Sequence, residues 1–447
     1  MIGTYQPIRA SFSSANRTSP KLLAIAVCFA CLATGLFWPG AVLAGVLLTY
    51  TAASISSHEW VTPVYAVGAL AVTIVRYPRT RPVLVPNAVD LTFLLFILAY
   101  AATTIYAVYP DAAKAASIKM LMAAISMFLV GRLIISPQNA EELTKQFIVA
   151  TLISGAAMSY LLFHAATGGG ANYWSRLSVD GSSAVGTSQP IPMALIAAIL
   201  AAIYCVARKK WISLLGVVAL GGWVLYIAIL SGTRGIFIAA GAGLLAAAIT
   251  GRRVVPWARL AGLSLLTIVT LAVATPHMEE TRRLTFSIDR LLGNFQEGGI
   301  VVDESARLRM QVQQAGMEMF KEKTLAGAGI GNYDAITHSA YPHNLEIEIA
   351  AEAGVIGLAL LCIYLFSLFQ RQMKIVMFQP IVGVVLLAMT VSCVIHQQVS
   401  FAFFMAKPLF MLTGLTASAL MSFRASNPKA RQVSKPNARI RRSARRV

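Results

Sequence analysis

Residues 89–107 read VDLTFLLFILAYAATTIYA, and this stretch holds a single charge, Asp90. Crossing the hydrocarbon core of a bilayer takes about 20 mostly apolar residues in a helix, because backbone polar groups there must be satisfied within the segment. Similar apolar runs lie at 22–37, 39–56, 60–75, 117–135, 145–164, 190–206, 211–230, 235–250, 257–275, 346–369, 376–395 and 403–422. The whole chain is 57% hydrophobic and 12% charged, where a soluble domain carries about 25% charged residues. A water-soluble fold is excluded on that balance. The expected fold class is all-α, a polytopic integral membrane helical bundle.

Charge placement orients the bundle. The net charge of +19 is concentrated in short connections and at the C-terminus. Basic clusters stand at Arg76, Arg79 and Arg81, at Arg208, Lys209 and Lys210, at Arg252 and Arg253, and at Arg371 and Lys374. The positive-inside rule assigns all four to the cytoplasm. The tail 423–447 is rich in arginine and has no acidic residue, as expected of a cytoplasmic segment lying near anionic membrane lipids. No aromatic residue interleaves its charges after Phe423, so nucleic acid is not an expected partner. Counting back from the tail, three spans place 276–345 on the outer side. Thirteen crossings would leave the N-terminus outside despite Arg9, Arg17 and Lys21. Pro39 and Gly40 suggest that 22–56 is one kinked or partly re-entrant segment. The reading is therefore about 12 transmembrane helices with both termini cytoplasmic. Residues 1–275 form an N-terminal region of about nine spans with an outer loop at 165–189. Residues 276–345 form one large outer loop containing helices, 346–422 the last three spans, and 423–447 the tail.

The first 20 residues are polar and show no small-residue cleavage site, so the first apolar segment is expected to stay in the membrane. Cys28, Cys31, Cys205, Cys362 and Cys393 all fall inside apolar runs, where packing is their expected role.

Residues able to carry chemistry gather on the outer side. Arg234, in LSGTRG at 230–235, stands between two apolar runs, where an arginine is expected to face water or an anion. Arg176 lies in the 165–189 segment, and Arg307 and Arg309 open ESARLRMQVQQAGMEMF at 304–320. In that run Leu308, Val312, Ala315 and Met319 recur at helical spacing, which predicts an amphipathic helix on the membrane surface. Guanidinium forks bind phosphate oxygens bidentately and stay charged, so they suit a diphosphate without a metal. Salt bridges to Asp180, Asp303 or Glu304 are the plainer alternative. GAGIGNY at 327–333 lacks the preceding strand and following lysine of a nucleotide loop, and reads as a tight turn back towards the membrane. His343, in SAYPHNLEIEIAAEAGVIGL at 339–358, sits where polar loop becomes apolar helix. A neutral imidazole there is suited to act as a general base. His338 is nearby, and position alone does not separate the two. Glu348 and Glu352 follow at i and i+4, and serve either to orient His343 or to pair an arginine. No HExxH or DxD pattern occurs, so no metal and no other cofactor is expected.

The ordered set LSGTRG, then RMQVQQAGMEMF with TLAGAGIGNY, then HNLEIEIAAEAGVIG resembles the O-antigen ligase and polymerase superfamily, most clearly over residues 230–360. The resemblance implies that His343 is catalytic, with Asn344 beside it in the HN motif. It also implies that Arg234 and Arg309 bind the donor diphosphate, with Arg176 a weaker match and Arg307 adjacent. Two positions depart from the pattern: Gln313 stands where an aromatic residue is frequent, and Glu346 where a tyrosine often follows HN. The implied activity is inverting, metal-independent transfer of polysaccharide from undecaprenyl diphosphate to a lipid A core hydroxyl, on the periplasmic side of the bacterial inner membrane. A polymerase or a protein O-oligosaccharyltransferase would carry the same motifs. A lipid or glycan flippase would also need many spans, but its paired broken helices in two matching halves are not evident.

Overall fold

The computed structural model describes residues 18–56, 60–76, 86–134, 140–167, 189–231, 233–251, 304–337, 341–400 and 402–426. Among these the regular structure is entirely helical: α1 (Thr18–Thr34), α2 (Gly40–Ser56), α3 (Val61–Arg76), α4 (Ala88–Ala102, ending in a 3-10 turn Thr103–Tyr106), α5 (Pro110–Ile134), α6 (Ala140–Thr167), α7 (Ile191–Ala207), α8 (Trp211–Leu230), α9 (Arg234–Thr250), α10 (Glu304–Glu322), α11 (Asn332–Thr337), α12 (Leu345–Phe378), α13 (Pro380–Ser400) and α14 (Lys407–Ser426). Among the described residues six helices are long and apolar enough to cross a membrane: Ala88–Tyr106, Pro110–Ile134, Ala140–His164, Trp211–Leu230, Leu345–Phe378 and Pro380–Gln398. Their flanks leave large apolar side chains such as Ile212, Leu215 and Phe366 exposed, the surface a bilayer covers.

The helix starts are chemically specified. Asn87 caps α4 by accepting from the amides of Val89 (2.9 Å) and Asp90 (3.3 Å), and Asp90 accepts in return from the Asn87 amide at 2.9 Å. Asp90 also takes a two-pronged contact from Arg132 of α5, both at 3.1 Å, and Arg132 donates to Ser418 of α14 at 2.8 Å. Ion pairing of this kind is what makes a buried charge tolerable inside a bundle. Gly131 and Gly414 let α5 and α14 meet backbone to backbone, since a Cβ on either would overlap the other helix.

The segment 22–56, expected as kinked or partly re-entrant, forms a hairpin. Gly35, Pro39 and Gly40 break the run, and Trp38 turns the chain by donating its amide to the Thr34 carbonyl at 2.8 Å. α1 and α2 then fold back on one another, with the Cys28 thiol donating to the Gly45 carbonyl. This hairpin returns Thr18 to the end at which α3 begins.

Two ends of the bundle can be distinguished. At one, Gln189 before α7 donates to the Met405 carbonyl at 2.9 Å, and Gln398 at the end of α13 donates to Glu346 on the first turn of α12 at 2.7 Å. α7 leaves this end and turns at Arg208–Lys210, while α12 leaves it and turns at Gln379, beyond Arg371 and Lys374. The basic residues therefore collect at the far end, where Lys145, Arg208 and Lys210 all stand within 6 Å of the Tyr204 ring centre. α9 follows α8 after a short turn, so Arg234 opens its helix at the near end. The expected segment 257–275 and residues 276–303 and 338–340 of the 276–345 loop lie outside the described residues.

Candidate active site

Helix α10 realises the amphipathic pattern of the loop, with a shifted stripe. Gly316 and Met319 are buried, Val312 and Gln313 are half-buried, whereas Leu308, Met310 and Met317 are exposed. Arg309 shares the inward stripe with Val312, Gln313 and Gly316 and is half-buried, while Arg307 is exposed. At Gly316 an added Cβ would come within 2.6 Å of Ile347 and 3.2 Å of Tyr333, with Pro342 beyond at 3.8 Å. The loop helix thus rests directly on the first turn of α12 and on the residue before His343.

His343 is half-buried, and its ring packs edge-on against Tyr341 with centroids 4.5 Å apart. Its φ is +56°, a left-handed conformation uncommon for a residue with a Cβ. Asn344 then caps α12, its side chain accepting from the Ile347 amide at 2.9 Å and its carbonyl from the Glu348 amide at 3.0 Å. This capping bond fixes where the helix begins, and with it the histidine immediately outside.

α12 is not continuous. Gly354 has φ +65° and ψ −162°, so the carbonyls and amides around it lose their helical partners. The turn after α10 supplies replacements. Ala328 donates to the Ala351 carbonyl (2.9 Å) and Gly329 to the Glu352 carbonyl (2.8 Å), while Val355 donates to Thr324 (2.9 Å) and Ile356 to Leu325 (3.3 Å). Broken backbone in a membrane protein survives only where such partners exist. Gly327, Gly329 and Gly331 all have positive φ, which confirms GAGIGNY as a tight turn back to the bundle. The end of α4 holds the turn from the other side, through Thr103 accepting from Ile330 (2.8 Å) and the Val108 amide donating to Ala328 (3.1 Å). Asn332 accepts from the Tyr109 amide at 2.6 Å.

Glu352 is the hub of this junction. Buried, it accepts from the Tyr100 hydroxyl, from the Tyr333 amide at 3.1 Å and from the Gly331 amide. Glu348, also buried, accepts from the Phe403 amide through both oxygens at 3.0 Å. Among the described residues the bonds of these two carboxylates go to Tyr100, Tyr333, Gly331 and Phe403, which lock the frame on which His343 and α10 sit. Tyr333 extends that frame by donating its hydroxyl to the Val312 carbonyl of α10. Burial pushes its phenol up to about 12, so the proton stays in place at any working pH.

Of the expected site residues, the structure brings His343, Asn344 and Arg309 onto two touching elements and starts the helix of Arg234 at the same end. Arg307 faces away from that contact, and Arg176 and His338 lie outside the described residues. Sequence reasoning missed Tyr100, Thr103, Asn332 and Phe403, whose roles depend on partners far away in the chain. Among the described residues, no three His, Cys, Asp or Glu side chains gather as a metal site requires.

These features define a multi-pass type of helical membrane protein, with a half-buried arginine and a strained histidine on two touching elements at one end of the bundle. Residues 222–362 match the family model described as O-antigen ligase. The matched stretch contains Arg234, α10, the glycine turn, His343 and Glu352. It supports an enzyme of glycosyltransferase type that works on lipid-linked polysaccharide. No curated protein matches the chain.

Proposed function

We propose that this chain is an O-antigen ligase, transferring polysaccharide from undecaprenyl diphosphate to a hydroxyl of the lipid A core oligosaccharide. The observation that carries the reading is the contact of α10 with the His343 junction through Gly316, Ile347 and Pro342. It sets a phosphate-binding type of side chain, Arg309, on the element beside a general-base type of side chain, His343. In the reaction, Arg309 and Arg234 hold the diphosphate, with Arg176 from the 165–189 loop and Arg307 as further cationic groups. The His343 imidazole takes the proton of the acceptor hydroxyl. That oxygen bonds to the anomeric carbon while the bond from carbon to diphosphate oxygen breaks on the opposite face, so the configuration inverts. The departing diphosphate keeps the electron pair, and the guanidinium groups offset its charge, with no metal required. Deprotonation by a placed base contributes roughly 10²–10⁴-fold. Asn344, Glu348 and Glu352 hold the geometry.

The proposed setting is the bacterial inner membrane with the histidine end in the periplasm. The basic end then lies in the cytoplasm, as the positive-inside rule asks. A cysteine at Ser339 is expected to react with an impermeant thiol reagent in spheroplasts, and one at Ser434 to stay unlabelled. Following the α1–α2 hairpin, a cysteine at Ser14 is expected to label with Ser339. The function itself is tested by reconstituting the purified protein with lipid-linked glycan, with and without lipid A core. Glycan attached to the core supports the ligase, whereas elongated lipid-linked glycan without core would replace it with a polymerase.

A further inference from the structure

A small cavity lies at the histidine end between the start of α7, the end of α13 and the start of α14. Met193 and Pro408 are among its apolar lining residues, while Gln189, Ser392, His396 and Gln397 make the rest polar. Ser392 is 1% exposed and Gln397 2% exposed. The hydroxyl oxygen of Ser392 and the amide oxygen of Gln397 have no hydrogen-bond partner among the described residues. Buried polar atoms in a bundle are costly when unmatched, so a polar cavity lined by two of them is shaped for a ligand that supplies the missing bonds.

The cavity is tied to the candidate active site on both sides. Gln398, next to Gln397, donates to Glu346 three residues from His343. Gln189 donates to Met405, two residues from the Phe403 amide that Glu348 holds. α9, which Arg234 opens, packs along α13, with Gly243 against Ser392.

We propose that this cavity is a sugar-recognition pocket, in which Gln397 and Ser392 hydrogen-bond one hydroxyl or hydroxymethyl group of a glycan substrate. The inference rests on the glycosyl-transfer reading and deepens it. A water-sized cavity admits one such protruding group and not a whole ring. The amide oxygen of Gln397 accepts from the sugar O–H, and Ser392 both donates and accepts. The group comes from the lipid-linked donor or from the acceptor, and kinetics separate the two.

The test compares wild type with Ser392→Ala and Gln397→Met, each purified and reconstituted with lipid-linked glycan and acceptor. The pocket predicts KM for one substrate raised about tenfold in each variant with kcat within about twofold, the signature of lost binding rather than lost chemistry. Wild type should also discriminate against a glycan lacking the recognised hydroxyl by roughly tenfold or more, and Gln397→Met should not. Unchanged KM for both substrates in both variants would overturn the pocket and leave it a place for a structural water. Ser392→Ala removes a single oxygen and keeps the test alive should Gln397→Met fail to fold. If wild type transfers nothing, the glycosyl-transfer reading falls by itself. Thermal stabilisation by lipid-linked glycan and by acceptor, measured separately, then decides the pocket: a smaller shift with either one in the variants supports it, and equal shifts with both reject it.

Discussion

Two turns flank the first half of α12, and both run through left-handed backbone. In the glycine turn every such position, Gly327, Gly329 and Gly331, is occupied by the residue that adopts it without strain, as is Gly354 at the break. At the other turn the left-handed residue is His343, where a Cβ makes the same conformation cost about 1–3 kcal/mol. A structural turn is relaxed; a strained one persists when its side chain is needed there. Lys209, in the α7–α8 turn, shows that positive φ alone is no proof of function, since it too has φ above zero. What separates His343 is its place between α10 and the cap of α12.

The contrast can be broken most severely at Gly327. Gly327→Ala combines a disfavoured φ with a Cβ that overlaps the backbone of Glu352 and Ala353, so a loss above about 3 kcal/mol is expected. Folded yield and melting temperature in detergent check it, and a stable Gly327→Ala protein would contradict the turn's role. At the arginines the fold should survive and the reaction suffer. Arg309→Lys and Arg234→Lys keep charge but lose the planar fork, so activity is expected to fall by about tenfold or more with weaker donor binding. Unchanged donor affinity in both would remove them from the diphosphate. Tyr100→Phe takes one donor from buried Glu352 and is expected to cost about 1–3 kcal/mol of stability, with activity falling only as the folded fraction does. The smallest effects belong to His338→Ala and to added EDTA, each expected to leave the rate close to wild type. A large loss with either would shift the base to His338 or bring in a metal.

The legible parts of this arrangement were those written in local spacing. Helix α10 announced itself by apolar recurrence, and GAGIGNY by its glycines, because both depend on neighbours in sequence. The break at Gly354 was hidden, since AEAGVIG reads as uninterrupted apolar helix and only the docked turn supplies the bonds that permit it. Glu348 and Glu352 were visible as carboxylates too close to a membrane to face lipid. Their partners, Tyr100 and the Phe403 amide, are brought there by the packing of α4 and by the turn before α14. The stripe of α10 was displaced from Leu308 towards Arg309 for a related reason: Gly316 packs directly on the first turn of α12, and an absent side chain gives no hydrophobic signal. Pro39 and Gly40 marked the break within 22–56, but the choice between a kink and a hairpin rests on the packing of α1 against α2, which no local spacing records.

The central claim is that strain at residue 343 is kept for the imidazole, and the pair His343→Ala and His343→Gly tests it most directly. Both are measured with purified lipid-linked donor and acceptor, alongside melting temperature and donor binding. The account predicts that both variants fold and bind donor, that His343→Gly is no less stable than wild type because its backbone is relieved, and that transfer falls at least 10²-fold in each. Near-wild-type turnover by either variant would contradict it, leaving the arginines to act without a base at His343.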